Sequence, residues 1–488
     1  PIYYVNAEPH LGHAYTTILA DVLARYHRYA GQETFFLTGL DEHGQKVQQA
    51  AKKRGVDPQR HCDEMAPRFT DLWEQLHISH DDFIRTTEER HKKVVRDILQ
   101  QVMDKGDIYE DEYEGLYSVS EERFITEKEA KSGEFRDIKK LQEKNYFFKM
   151  SKYQKELIDY INENLEFVQP QHRKNEILGF LSQPLEDLCI SRPKNRLNWG
   201  VELPFDHDFV TYVWFDALLN YVTSPGYGSD PEVFEKWWSQ AVHLIGKDIL
   251  VTHAVYWPTM LMSAGIPLPK TIFAHGWWLI EKSKMSKSVG NVVDPMELID
   301  EYGADPVRYY LMREMVLGQD SNFTMESFTK RYNSDLANDF GNLLSRVSRL
   351  IHKNFDGKMP EWGEPTSAGN EMKKLAEGTI EKVNKLIQNM RINEAIEETM
   401  QFIRSVNRYM EQQVPWKRVK EDKSAAGRVL ITAAEAMRLG ALLLQPVMPN
   451  RTLIVLETLN AEHTSLAWGQ LKPGSELKEH PSLFPRIE

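Results

Sequence analysis

Two histidines, His10 and His13, stand three residues apart near the amino end of the chain, with Gly12 between them. The residues before them predict a strand end and a tight turn, and the apolar residues after them recur at helical spacing. Because residues three apart project from neighbouring points of one helix face, both imidazoles would point from a helix N-terminus, where anions are stabilised. Three interpretations stay open on this segment alone: a phosphate site, a metal site that needs further ligands, or a surface pair without a function.

A phosphate site needs a second cationic element, and one is present far downstream. The stretch EKSKMSKSVGN, residues 281–291, carries Lys284 and Lys287 among small hydroxyl residues and Gly290. This composition suits a loop that closes over phosphates. Taken alone, the same stretch is also typical of a solvated lysine-rich loop.

The elements that would hold these groups alternate between short apolar strands and helices. In the first third of the chain, the strand ETFFLTGL is followed by Asp41 and His43, and the helix KVQQAAKKR can end at Gly55. The alternation returns in residues 242–266, where a strand ends at Gly246. Such alternation predicts a parallel sheet with crossover helices, whose ligands bind beyond the carboxyl ends of the strands.

Between these two parts, a charged, mixed segment from roughly Leu116 to Trp199 interrupts the alternation, and helical periodicity takes over near Asn333. The sequence therefore predicts the α/β class: a Rossmann-like domain with a parallel sheet, split by an insertion and followed by an α-helical bundle. The predicted boundaries are 1–115 for the first half of the Rossmann-like domain, 116–200 for the insertion, 201–270 for the second half, 271–332 for the lysine-rich region and 333–488 for the helical bundle.

The composition is that of a globular protein with more than one core. A chain of 488 residues with 41% hydrophobic residues is expected to form two or three domains. Its net charge of −12 argues against a general nucleic-acid coat but leaves room for a local basic face. With only Cys62 and Cys189, it lacks a disulfide framework and a cysteine-based zinc site, which fits a reducing cytoplasm. There is neither a run of about 18 apolar residues nor a signal peptide, and a few residues are expected to precede Pro1.

The two cationic motifs together resemble those of a known family. HLGH at residues 10–13 and KMSKS at residues 284–288 are similar to the paired motifs of class I aminoacyl-tRNA synthetases. Within this class the chain resembles the methionyl-tRNA synthetases, of the zinc-free bacterial or organellar type, over nearly its whole length. The segments that carry this resemblance are PIYYVN, TGLDEHGQKV, YVWFDALLNY, IGKDILVTHAVYWP, HGWW and LFPRIE.

The resemblance implies an activity for the chain. Such an enzyme joins L-methionine to ATP, forming methionyl-adenylate and pyrophosphate, and then transfers methionine to the 3′ end of tRNA(Met), initiator and elongator, with a CAU anticodon. The Rossmann-like domain would be catalytic, residues 271–332 would contact the tRNA stem, and the helical bundle would bind the anticodon. The resemblance also implies a monomer.

Roles for particular residues follow from the same resemblance. Activation builds negative charge on phosphoryl oxygens, which positioned cations stabilise. The catalytic residues would be His10, His13, Lys284 and Lys287. The residues that contact ATP, which arrives with Mg²⁺, would be His10, Gly12, His13, Gly246, Asp248, Lys284, Ser286 and Lys287.

The amino acid and the anticodon would have their own sites. A carboxylate would pair with the α-ammonium group, and aromatic rings suit a thioether. The methionine-binding residues would be Ile2, Tyr4, Asp41, Trp214, Ala217, Leu218, Tyr221, Ile249 and His253. The anticodon-binding residues would be Asn342, Arg346 and Trp416, where Trp416 stacks a base. The alternative is that Trp416 belongs to the core and Arg346 is a surface charge.

One segment departs from the family pattern. Many members carry zinc-binding cysteines in the insertion, but Ser118 and Glu121 stand where the first pair would be, so the insertion is expected to fold without metal. It is also too short for the editing domain of the leucyl, isoleucyl and valyl enzymes. Two other classes remain open: a catalytically silent tRNA-binding homologue, which predicts the loss of a phosphate-contacting residue, and a small-molecule nucleotidylyltransferase, for which the helical half is superfluous.

Overall fold

A computed structural model describes residues 1–118, 123–125, 130–131, 137–280, 283–284 and 293–488. Its strands are β1 Ile2–Tyr4, β2 Leu37–Asp41, β3 Asp82–Arg85, β4 Ile108–Ser118, β5 Arg123–Ile125, β6 Ile138–Phe148, β7 Val168–Gln169, β8 Leu188–Cys189, β9 Ser191–Pro193, β10 Glu202–Leu203, β11 Asp206–Thr211, β12 Val242–Gly246, β13 Thr271–His275, β14 Trp278–Ile280, β15 Ser283–Lys284 and β16 Ser321–Asn322.

The helices follow in the same chain order. They are α1 Leu11–Tyr29, α2 Gln45–Arg54, α3 Pro58–Gln75, α4 Glu89–Asp104, α5 Gln154–Glu163, α6 Gln171–Leu181, α7 Val213–Ala217, α8 Asn220–Thr223, α9 Pro231–Trp238, α10 Trp257–Ala264, α11 Pro295–Tyr302, α12 Ala304–Glu314, α13 Met325–Arg331, α14 Asn342–Phe355, α15 Ser367–Gln388, α16 Ile392–Gln413, α17 Pro415–Arg418, α18 Lys423–Leu444 and α19 Pro449–Thr458. Among the helices of these described ranges, none is long and apolar enough to cross a membrane.

The chain forms two compact units. The first unit consists of Pro1–Pro9, Phe35–Asp71 and His80–His275. The second unit consists of His10–Thr34, Leu72–Ser79 and Gly276–Glu488. The domain boundaries expected from the sequence stay predictions.

Two three-stranded sheets of the first unit are parallel throughout. Their strand orders are β1-β2-β3 and β12-β13-β7. Strand β13 is almost entirely buried, as expected for a parallel strand that is covered on both faces. Helix α2 follows β2 and ends at Gly55, which adopts a left-handed conformation with φ of 71°. The expected α/β class, with parallel sheets and a helical carboxyl end, is confirmed.

Antiparallel strands occupy the middle of the first unit. Strands β4 and β6 pair along their whole length, and β5 and β8 extend this sheet in the order β5-β4-β6-β8. A second small sheet has the order β10-β11-β9. Strands β5, β6, β8 and β9 lie within the stretch whose charged composition interrupts the alternation in the sequence, while β4 begins before it and β10 and β11 follow it.

A cluster of buried hydrophobic side chains stabilises the first unit and packs its helices against its parallel strands. Helix α4 contributes Val95, Ile98 and Leu99, which share one face because they are spaced by three and four residues. The parallel strands contribute Ile245 and Ile272 to the same cluster. Each fully buried side chain of this kind stabilises the fold by about 1.5–3 kcal/mol. The cluster therefore keeps the ends of these strands in fixed positions.

In the second unit, helix α1 is anchored by a buried ion pair. Asp21 on α1 accepts hydrogen bonds from Nη2 of Arg308 at 2.6 Å and from the backbone N–H of Ser79 at 2.7 Å. Arg308 also donates to the carbonyl groups of Leu76 and Val447 at 2.9 and 2.8 Å. Because removing one partner of a buried pair costs about 3–5 kcal/mol, this network fixes α1 firmly.

The helical bundle of the second unit contains another buried charge pair. Glu435 and Arg438, both on α18, pair at 2.7 Å with no side-chain exposure. The carboxylate of Glu435 also accepts backbone N–H groups of Gly469, Gln470 and Leu471 at 2.8–3.2 Å. A carboxylate with this many donors ties the segment after α19 to the bundle.

Candidate functional site

The N-terminus of α1 explains the two closely spaced histidines. His10 is the N-cap residue: its Nδ1 accepts a hydrogen bond from the backbone N–H of Gly12 at 3.0 Å. The backbone N–H of His10 donates in turn to Nδ1 of His13 at 3.1 Å, and the two rings stack with centroids 3.9 Å apart. A Cβ atom at position 12 would lie 2.9 Å from Cε1 of His10. Glycine is therefore needed there for the ring to fold back over the helix end.

The capping assigns a tautomer to each of these histidines. Both Nδ1 atoms accept hydrogen bonds, so the proton of each neutral imidazole is on Nε2. The N-terminus of a helix is its positive end, and two Nε2–H donors beside it form a site that favours anions. In the part of the chain that the structure describes, no group of three His, Cys, Asp or Glu side chains could hold a metal ion. The geometry favours the phosphate interpretation of the histidine pair.

The predicted lysine motif is described only in part. Lys284 lies in β15, which pairs antiparallel with β14 in the second unit. Ser286 and Lys287 lie outside the described residues. The roles of these three residues stay predictions.

The carboxyl end of β2 carries the first part of the predicted methionine pocket, in the first unit. Tyr4 pairs with Asp41, and Ile2 pairs with Gly39, in the parallel ladder of β1 and β2. Ile2 and Tyr4 face the same side because side chains alternate along a strand, while Tyr3 between them is buried on the other side. Asp41 is the last residue of β2 and is 7% exposed. The expectation that Asp41 ends a strand is confirmed.

A hydrogen-bonded aromatic wall forms the second part of the pocket. The hydroxyl of Tyr221 lies 3.0 Å from Nε2 of His253, whose Nδ1 donates to the carbonyl of Ile249 at 2.9 Å. The ring of Trp214 lies edge-on to His253 with centroids 6.0 Å apart. Burial and the negative charge of Asp41 both raise the pKa of Tyr221, so this hydroxyl stays protonated and donates to the histidine. The structure thus brings together five predicted residues of the first unit: Asp41, Trp214, Tyr221, Ile249 and His253.

The remaining predicted residues of the first unit lie close in the chain to those of the wall. Ala217 and Leu218 are buried where α7 ends, between Trp214 and Tyr221 in the chain. Gly246 ends β12, and Asp248 follows in a short 3₁₀ turn that leads to Ile249. A Cβ atom at position 246 would lie 2.6 Å from Oδ1 of Asp248, so the glycine permits the close approach of this carboxylate.

Burial keeps two histidines neutral: His253 of the wall and His243, which packs against it. Burial lowers the pKa of His253 to about 4, and it holds the pKa of His243 well below its usual range. His243 stacks on Tyr221 with centroids 4.2 Å apart, and its Nε2 accepts a hydrogen bond from Nε1 of Trp257 at 3.0 Å. The wall therefore offers uncharged polar atoms and ring faces, which suit an uncharged side chain.

We expect the low pKa of His253 to make the protein less stable in mild acid. The unfolded chain binds a proton near the ordinary value of 6.5, and the folded chain binds it only near 4, so acidification between these values favours unfolding. Such a group contributes about 1.4 kcal/mol of free energy of unfolding per pH unit in this window. The melting temperature of His253→Gln should therefore fall less steeply with decreasing pH than that of the wild type. Equal slopes would contradict the assignment.

Sequence reasoning missed a buried polar cluster next to these residues. The carboxylate of Asp216 on α7 accepts hydrogen bonds from Nδ1 of His43 at 2.6 Å and from Nε2 of His91 at 2.7 Å. Burial alone would raise the pKa of Asp216, but the two histidines outweigh burial and hold this pKa at about 2. The signal in the sequence is an aspartate in the apolar stretch YVWFDALLNY, because a buried carboxylate must be paired.

The three predicted anticodon residues all lie in the second unit. Asn342 and Arg346 lie one turn apart on α14, as their spacing predicts, and Asn342 is exposed. The guanidinium of Arg346 lies 5.5 Å from the ring of Trp416 and 3.7 Å from the carboxylate of Glu411. Trp416 is the second residue of α17, directly after Pro415, and it is only partly buried, so it is not a core tryptophan.

Comparisons with known proteins cover nearly the whole chain. A family model described as "tRNA synthetases class I (M)" matches residues 1–134 and 132–348. A second, described as "Anticodon binding domain of methionyl tRNA ligase", matches residues 359–488. The methionine–tRNA ligases of Thermotoga maritima and Bacillus subtilis are each 44% identical to this chain, of which they cover 100%, and the matches span 80% and 77% of those proteins.

A solved structure agrees with these matches. The Mycobacterium tuberculosis methionyl-tRNA synthetase in complex with methionyl-adenylate is 39% identical, with a TM-score of 0.94 over 99% of each chain. Fold and family matches agree on a class I aminoacyl-tRNA synthetase. Within this class, the chain belongs to the methionyl-tRNA synthetase family. The family and the enzyme class expected from the sequence, a methionine–tRNA ligase, are confirmed.

Proposed function

We propose that this chain activates L-methionine with ATP, releasing pyrophosphate, and transfers the methionyl group from methionyl-adenylate to the 3′ end of tRNA(Met) with a CAU anticodon. The observation that carries the proposal is the pocket around Asp41. Its carboxylate offers a counter-charge for an α-ammonium group. The neighbouring pair of Tyr221 and His253, with Trp214, offers a neutral and largely aromatic surface for a thioether. The solved relative from Mycobacterium tuberculosis contains methionyl-adenylate, the intermediate that this pocket would hold.

Activation requires the methionine carboxylate to attack the α-phosphorus of ATP while pyrophosphate leaves. Negative charge develops on the phosphoryl oxygens, and little covalent help is needed from the protein. The Nε2–H groups of His10 and His13, at the positive end of α1, would donate to these oxygens. Lys284 and Lys287 would supply further positive charge to the departing pyrophosphate. Asp41 would orient the amino acid for the attack.

Magnesium would accompany ATP rather than occupy a site of its own. The residues that the structure describes contain no group of carboxylates and histidines arranged to hold a metal. Mg²⁺ usually keeps several waters and is held by substrate phosphates with few protein ligands. When bound, it would neutralise part of the phosphate charge.

The anticodon would be read in the second unit. Bases of single-stranded loops stack on aromatic or guanidinium planes and donate or accept hydrogen bonds through their edges. Trp416 would stack one base of the CAU anticodon, and Asn342 and Arg346 would contact base edges. The partial exposure of Trp416 and the exposure of Asn342 support this assignment.

The test of the proposal is the exchange of labelled pyrophosphate into ATP, measured with and without methionine. We expect exchange that requires methionine, and charging of a tRNA with a CAU anticodon. A catalytically silent tRNA-binding homologue would show no exchange. A small-molecule nucleotidylyltransferase would not require methionine. Either result would refute the proposed function.

We further propose that the enzyme needs no structural zinc. Ser118 lies at the end of β4, where a cysteine would be required, and the other position, Glu121, lies outside the described residues. Exhaustive chelation followed by restoration of magnesium should leave full activity. Elemental analysis of the purified protein provides the check, because stoichiometric zinc would show that other residues bind the metal.

We also propose that the enzyme acts as a monomer in the cytoplasm. The two units contain both the predicted methionine pocket and the predicted anticodon residues within one chain. Sedimentation analysis of the full chain would check the first point, since a dimer at micromolar concentration would contradict it.

A further inference from the structure

A buried carboxylate lies among the segments that form the predicted methionine pocket. The side chain of Asp216 is 1% exposed, and both of its oxygens accept hydrogen bonds from imidazoles. Oδ2 lies 2.6 Å from Nδ1 of His43, and Oδ1 lies 2.7 Å from Nε2 of His91. The second nitrogen of His91, Nδ1, lies 3.2 Å from Oγ1 of Thr223. These four residues form one continuous hydrogen-bonded cluster.

Two members of this cluster, His43 and Asp216, each lie two positions along the chain from a pocket residue. His43 follows Asp41 by two positions, just after β2 ends. Asp216 follows Trp214 by two positions on α7. The cluster therefore connects the segment that carries the Asp41 carboxylate with the helix that carries Trp214.

A third pocket segment is connected through the other histidine. Thr223 follows Tyr221 by two positions on α8. His91 lies on α4, and this helix contributes apolar side chains to the hydrophobic cluster of the first unit. His91 thus joins α7 and α8 to an element that is itself fixed by packing.

The cluster cannot open without leaving a buried charge unpaired. Two histidines hold the pKa of Asp216 at about 2 against the effect of burial, so the carboxylate is ionised at neutral pH. An ionised carboxylate without donors is strongly unfavourable in a protein interior. The hydrogen bonds of Asp216 therefore determine the spacing of the segments that donate them.

We propose that Asp216, together with His43 and His91, positions the methionine pocket. Asp216 acts through the two histidines: it sets the distance between the carboxylate of Asp41 and the ring wall of Trp214 and Tyr221. This proposal rests on the function proposed above. Because Asp41 and the ring wall would bind opposite ends of methionine, a change in the distance between them should weaken methionine binding although Asp216 does not contact the substrate.

The first test is Asp216→Asn. The asparagine amide keeps one oxygen, which can still accept a hydrogen bond from one histidine. Its NH2 group faces the N–H of the other histidine, so that hydrogen bond is lost while the side-chain volume hardly changes. In methionine-dependent pyrophosphate exchange, we expect the KM for methionine to rise about tenfold or more, while the KM for ATP stays within about threefold of the wild type. If Asp216 only stabilised the fold, its replacement would lower kcat and the melting temperature, but it would not raise the KM for methionine more than the KM for ATP.

Asp107 provides a matched control in the same unit. Its side chain is also 1% exposed, and it accepts hydrogen bonds from Lys152 at 2.6 Å and from Ser263 at 2.8 Å, neither of which belongs to the predicted pocket. Asp107→Asn should lower the melting temperature without raising the KM for methionine. If Asp107→Asn raises this KM as much as Asp216→Asn does, the role of Asp216 is structural and the proposal is wrong.

A second pair of variants keeps the proposal testable if Asp216→Asn does not fold. The side-chain amide of glutamine can place its nitrogen near Nε2 of the histidine that it replaces, so His91→Gln keeps the donor to Asp216, whereas His91→Leu removes it. We expect a near wild-type methionine KM for His91→Gln and a raised one for His91→Leu. Equal values for both variants and the wild type would overturn the positioning role. A wild-type protein without methionine-dependent exchange would instead refute the proposed function.

Discussion

Replacing His10 by asparagine should slow the formation of methionyl-adenylate by about a hundredfold or more, while the melting temperature changes little. Asparagine is among the best N-cap residues, so its oxygen can replace Nδ1 as the acceptor for the backbone N–H of Gly12. No atom of asparagine reaches the position of Nε2, so the proposed phosphate donor is lost. Because this donor acts on charge that develops in the transition state, kcat should fall and the KM for methionine should change little.

The matched control for this prediction is His10→Gln. Glutamine can reach the position of Nε2 with an N–H donor but is a poorer N-cap, so it should keep more of the rate and lose more of the stability. Pyrophosphate exchange and thermal unfolding, measured on both variants, separate the two roles. Normal exchange by His10→Asn would mean that the imidazole only caps α1.

Replacing Trp416 by alanine should weaken tRNA charging by about tenfold to more than a hundredfold, because stacking of one base contributes about 1–3 kcal/mol. Trp416 is partly buried beside the guanidinium of Arg346, which lies 5.5 Å from its ring. The residues proposed above for methionine activation do not include Trp416, so pyrophosphate exchange by this variant should remain near the wild-type rate. Charging and exchange are measured on the same preparation.

Two further variants sharpen the test of Trp416. Trp416→Phe keeps an aromatic face and should keep most of the charging rate. Trp468→Ala removes a partly buried tryptophan of the same unit that pairs with Trp362 rather than with Arg346, and it should leave charging unchanged. Parallel loss of charging and exchange in Trp416→Ala would mean that this residue maintains the fold, and loss of neither would remove it from the anticodon site.

Much of the candidate site could be predicted from sequence because its signals are local. The helical spacing of the apolar residues after His10 and His13 predicts a helix N-terminus there, and the structure shows α1 capped by His10. The apolar run before Asp41 predicts a strand end, and β2 ends there. Asn342 and Arg346, four residues apart, share a helix as predicted. Such patterns depend on the 3.6-residue and 2-residue periods of the backbone, which are properties of short segments.

The sequence could not predict which hydrogen bonds these residues make. Both histidines at the helix end use Nδ1 to cap α1, so only the structure assigns the proton of each neutral imidazole to Nε2. The assignment depends on the distance between a ring and a backbone N–H, and the sequence contains no such distance.

The sequence by itself determined the family and the α/β class, and its resemblance to that family supplied the candidate site residues, because motifs and periodicity follow from the order of the residues. Only the tertiary structure decided that α1 belongs to the second unit, through the pair of Asp21 and Arg308. It alone also decided that Asp216 receives a hydrogen bond from His43, which is 173 positions away. The physical reason is that a buried charge takes its partners from whichever segments the packing brings to it, and packing depends on the whole chain rather than on the local pattern.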